Sequence, residues 1–63
     1  MLSKEDFIPF LNQNVCIERA FGDVREERFG VLTNIGENNI ILLFKGSPQI
    51  YDMLHTTAIR RAW

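Results

Sequence analysis

One cysteine is all this 63-residue sequence holds, so no disulfide can form within it. A single histidine beside that cysteine leaves too few ligands for a structural zinc site. No apolar run approaches the ~18 residues of a membrane-spanning helix, and no membrane is expected. Neither sign of charge is in excess. The formal net charge is −1 and the isoelectric point about 5.7. Sequence-blind nucleic-acid binding needs a dominant positive field, so only a local basic patch is left open. No phosphate loop, nucleotide fingerprint or metal spacing is present, and no cofactor or metal is expected. Leu2 to Asp6 is acidic and polar where a signal peptide would be basic and then apolar. A cytoplasmic location with Cys16 reduced is the matching expectation.

The length allows one domain, residues 1–63, and a domain this small buries only about 60% of its unfolded surface. Small scaffolds need a disulfide, a metal or a partner. With the first two excluded, the 46% hydrophobic content points to a homo-oligomer. Residues 3–12 read as a short helix. Ser3 is the N-cap, Glu5 and Asp6 favour the positive end of the dipole, and Leu2 and Phe7 stand at the hydrophobic-staple positions. Pro9 interrupts it. Strands are expected at Val15–Ala20, Phe29–Ile35, Ile40–Phe44, Ile50–Leu54 and Ala58–Trp63, with Val24–Arg28 an exposed hairpin end. Turns are expected at 21–23, 36–39 and 46–48, and a short connector at 55–57. The unbroken apolar run Ile40–Phe44 predicts a strand buried on both faces. Gly30 inside a strand predicts a sharp bend or a close backbone approach. The fold class is therefore mainly β: a short N-terminal helix, then five strands bent into a small barrel.

Particular segments carry a resemblance. Pro9-Phe10-Leu11-Asn12, Asn14-Val15-Cys16-Ile17, Gly30-Val31-Leu32 followed by Ile40-Ile41-Leu42-Leu43, and Ala58-Ile59 together resemble the Sm-like fold, most of all its bacterial Hfq branch. The likeness runs over residues 3–63. It implies a strongly bent Sm-like/SH3-like barrel, a ring or other homo-oligomer, and binding of single-stranded RNA without catalysis. Where Hfq-type proteins carry a Tyr-Lys-His run that contacts RNA, this chain has His55-Thr56-Thr57.

Candidate RNA-contacting residues are Arg60, Arg61, Lys45, Tyr51, His55 and Trp63. Arginine pairs with phosphate and stacks on bases, and aromatic faces stack on bases as well. Arg60 and Arg61 point to opposite sides of a strand, so only one can line a given surface. Arg19 is a further cation for such a patch, and Phe21 and Phe44 are further aromatic platforms. No catalytic residue is expected. Cys16 between Val15 and Ile17 reads as a packing residue, and Glu26-Glu27 as solvated charge. The competing reading of the same barrel is a protein-interaction or structural module without nucleic acid.

Overall fold

The computed structural model describes residues 1–62. At its start the Ser3 N–H donates to Asp6 Oδ2 at 2.7 Å, and Phe7 is fully buried with Leu2 packed beside it. The helix is shorter than expected. The α-helical turn α1 covers Lys4–Phe7, and Ile8–Phe10 tightens into a 3-10 turn. Pro9 explains the change, because its ring has no N–H to donate and crowds the turn before it.

Five strands follow: β1 (Asn14–Phe21), β2 (Val24–Ile35), β3 (Asn39–Phe44), β4 (Ser47–Asp52) and β5 (Thr56–Arg61). They form one antiparallel sheet in the order β4-β3-β2-β1-β5. The charged segment Val24–Arg28 is continuous with the bent strand after it, giving the 12-residue β2. The turn expected at 46–48 is tighter, with Lys45 and Gly46 at φ 51° and 78°. Ser47 and Pro48 already belong to β4, and proline is tolerated there because β4 is an edge strand. β4 ends at Asp52 rather than Leu54, and β5 starts at Thr56, inside the expected connector.

Gly30 is a site of close approach. A Cβ there would lie 2.8 Å from the Leu43 carbonyl oxygen and 3.1 Å from Leu42 Cβ. Register shifts after Leu32 on β2 and between Glu18 and Arg19 on β1 leave Thr33 and Thr57 as extra residues. Such bulges bend the strands that carry them. The mainly β architecture, a short N-terminal helix followed by five strands, is as expected, but the bent sheet stays open rather than curling fully into a barrel. β4 and β5 are its two edges, and no ladder joins them among the described residues. The reason lies in the link after β4. Thr56 Oγ1 donates to the Asp52 carbonyl at 2.8 Å, Thr56 N–H to the Met53 carbonyl at 3.1 Å, and Ala20 N–H to the His55 carbonyl at 2.9 Å. These bonds turn the chain onto β1 instead of alongside β4.

The core is Phe7, Val15, Ile17, Leu32, Ile40, Leu42 and Met53. Phe7 brings α1 onto this cluster, and Leu2 and Phe10 pack against it. β3 does not show the burial on both faces that its sequence predicts. Ile40 and Leu42 are fully buried, Ile41 is half-buried, and Leu43 is exposed on the outer side. Among the described residues no helix is long and apolar enough to cross a membrane.

Candidate nucleic-acid interface

The 12-residue β2 and the short link after β4 decide which candidate residues meet. Because β5 runs antiparallel to β1, its start lies beside the end of β1. That places His55, in the link, next to Phe21, with ring centroids 4.6 Å apart and planes inclined by 24°. Arg19 Cζ lies 4.7 Å from the Phe21 ring centre and 4.9 Å from that of Tyr51. Asp52 pins the group together. One carboxylate oxygen accepts from Arg19 Nη2, and the other lies 2.6 Å from His55 Nδ1 and 3.3 Å from the His55 backbone nitrogen. Three rings and a guanidinium thus gather around one carboxylate.

Electrostatics explain why the cluster holds. Arg19 is 9% exposed, and its charge is met by Asp52 and, at 3.7 Å, by Glu26. Desolvation works against the charge on Asp52. The His55 ring hydrogen bond, the His55 charge and Arg19 outweigh it, so the carboxyl titrates below its usual range. Among the buried side-chain nitrogen and oxygen atoms of the described residues, Arg19 Nε alone has no hydrogen-bond partner. His55 and Phe21 are both partly open to solvent.

The other candidates are placed elsewhere. Arg60 is opposite Cys16 and Arg61 opposite Val15, so the two side chains take opposite faces as expected. Arg60 is engaged with Glu27 at 3.1 Å and Glu18 at 3.5 Å. The Glu27 hydrogen bond, first among the causes, raises its proton affinity further. Glu18 and Glu27 are themselves direct cross-strand partners, so Arg60 separates two like charges. Arg61 Nε donates to Gln13 Oε1 at 2.7 Å. Lys45 sits in the β3–β4 turn with Nζ 5.3 Å from the Phe44 ring centre, at the other side of the sheet from β5. Trp63 lies outside the described residues. Tyr51 and His55 are therefore brought together, whereas Arg60, Arg61 and Lys45 are not. Cys16 is buried, and burial raises its thiol pKa. Among the described residues no three acidic, histidine or cysteine side chains are grouped to hold a metal ion.

Two hollows flank the cluster. The first, about 400 Å³, lies by the β1–β2 hairpin and sets Glu18, Glu26 and Glu27 against Arg19 and Arg25. Its excess of carboxylates does not suit phosphate. The second, about 590 Å³, opens between the N-terminal segment and the β2–β3 and β4–β5 links, with Leu2, Met53 and Leu54 as apolar wall and Asn38 and Asp52 as polar groups. Lys4 and Glu37 pair at 3.4 Å across its rim. Apolar walls with a few convergent polar groups are the usual make-up of a small-ligand site. Arg19 and Phe21 carry the cluster, although each is a minor candidate in the sequence. The signal for them is the 33-residue spacing of Arg19 to Asp52, which only the sheet order converts into contact. No family model, curated protein or solved structure matches this chain.

Proposed function

We propose that this chain is a small Sm-like module that self-associates through its sheet edges and binds single-stranded RNA without catalysing a reaction. The observation that carries the reading is the Arg19, Phe21, Tyr51 and His55 cluster beside an apolar hollow that Asp52 and Asn38 also line. Planar rings such as the partly open Phe21 and His55 are what unpaired bases stack on. The buried Arg19 guanidinium holds the Phe21 and Tyr51 rings in place, and the hollow supplies room for a base edge. The helix followed by five strands, with a tight glycine in the bent second strand, supports the Sm-like part. The free edges of β4 and β5 support assembly, since unpaired strand edges seek partners. Around an oligomer each shallow site is repeated, and avidity raises the total affinity.

The test is fluorescence anisotropy of short labelled U-rich and A-rich oligonucleotides over a salt series. Binding is expected at low salt, with affinity falling as salt rises. His55→Ala or Phe21→Ala is expected to cost about 1–3 kcal/mol of binding, the range for one base-stacking side chain. Absence of binding to both oligonucleotides at low salt refutes the reading. The second reading, a protein-interaction module, is favoured by a specific observation: Arg60 is neutralised by two glutamates and the hairpin hollow is net acidic. One stoichiometric protein partner recovered with the full chain, together with no oligonucleotide binding, selects it.

A further inference from the structure

The outward positions of β2, β3 and β4 make one apolar surface. Ile41 is directly opposite Ile50, and Leu43 is opposite both Pro48 and Val31. Directly opposed residues share a face of the sheet. Phe29, two residues before Val31, continues the row. None of these six residues is charged. Ile50 is 68% exposed, Phe29 42% and Leu43 38%. β3 has no polar residue from Ile40 to Phe44, the pattern of a strand covered on both sides, and the chain itself supplies one cover.

Charge decides what fits the open side. The ionic residues on its β1 border, Glu18, Glu27 and Arg60, are paired with one another and net negative. The β3–β4 turn adds Lys45 alone. That rim does not hold a polyphosphate backbone or an anionic lipid surface, which require several cations. A copy of the same patch lays uncharged residues on uncharged residues, and two-fold self-pairing is the commonest symmetry among homo-oligomers. Size sets the strength. Six residues fall well short of the roughly 20–30 per side of a standard interface. Pairing by this face is therefore weak in single chains and gains from any assembly that presents several copies at once. We propose that the outer face of β2–β4 is a self-association surface on which a second copy of this chain packs face to face. This goes beyond the RNA-binding reading, because it uses neither the aromatic cluster nor the strand edges.

The experiment is sedimentation equilibrium of the full chain over about a hundred-fold range of concentration, where mass action makes association visible. Wild type is expected to rise above 7.3 kDa with concentration. Ile50→Ser is expected to weaken association at least about ten-fold, a difference of about 1.4 kcal/mol, with an unchanged circular dichroism spectrum. Leu43→Cys, near the centre of the patch, gives an independent reading: a covalent dimer on mild oxidation, which buried Cys16 does not form in wild type. This trapping also serves if Ile50→Ser fails to fold. Wild type remaining at the single-chain mass, equal association of Ile50→Ser and wild type, or no covalent dimer from Leu43→Cys would each overturn the proposal. Ile50→Ser that lowers oligonucleotide affinity without changing the mass distribution overturns it in favour of nucleic acid on this face. Loss of RNA binding through His55→Ala or Phe21→Ala leaves it standing, so the two readings fail separately.

Discussion

Asp52 holds three groups from two places at once: Arg19 on β1, and both the ring and the backbone of His55 in the link after β4. Because β4 and β1 are not neighbours in the sheet, this contact, unlike a ladder bond, joins strands that two others separate. Asp52→Asn removes the charge that faces a nearly buried guanidinium, and a loss of about 1–3 kcal/mol is expected in urea unfolding, the range for hydrogen bonds to charged groups. The pH dependence has a definite sign. A carboxyl whose folded pKa lies below its unfolded value of about 3.9 contributes stability above that value and loses it as pH falls through the folded pKa. Wild-type stability should therefore decline in that acid window, and the decline should be shallower in Asp52→Asn. Equal slopes for both proteins would show that Asp52 does not set the acid limb.

Turns and bends carry the element-scale consequences. Lys45 has φ 51° and precedes Gly46, so a non-glycine side chain occupies the left-handed region in a two-residue hairpin turn. Lys45→Asn creates the preferred Asn-Gly turn and is expected to raise the urea midpoint, by up to about 1 kcal/mol in stability. Gly30→Ala should act in the opposite sense. Its methyl meets the β3 backbone at Leu43, and overpacking of this kind costs about 1–3 kcal/mol. The bend at Gly30 was legible in the sequence, because a strand glycine has few other uses. So were the helix start at Ser3 and the turn at Gly22. The helix end was less so, since the influence of Pro9 depends on how the next turn tightens. The bulges at Thr33 and Thr57 were not legible. Threonine suits a regular strand equally well, and only pairing with a neighbour exposes the extra residue.

At the scale of the whole molecule, seven buried side chains make the core, and two sheet edges have no partner among the described residues. So small a core limits the stability available to a lone chain. If copies complete the fold, the thermal midpoint rises with protein concentration. A midpoint constant over a hundred-fold range, about what differential scanning fluorimetry covers, would place the stability within the single chain. The candidate site illustrates where sequence reading stops. Tyr51 and His55 could be nominated from residue type, but their convergence with Arg19 and Phe21 depends on strand order and on the link that turns onto β1. The basic pair Arg60-Arg61 reads in the sequence as a pair of phosphate-binding and base-stacking side chains. The sheet instead sets Arg60 between two glutamates and Arg61 against Gln13.

Arg60 also couples the two ends of the chain. Glu18 and Glu27 oppose each other in the β1–β2 hairpin, and the cation between them comes from 42 and 33 residues further along the chain. Without β5 the two carboxylates would face each other with no such cation between them. A short-range pairing is thus relieved by a residue from the far end of the chain, so the hairpin and β5 stabilise one another.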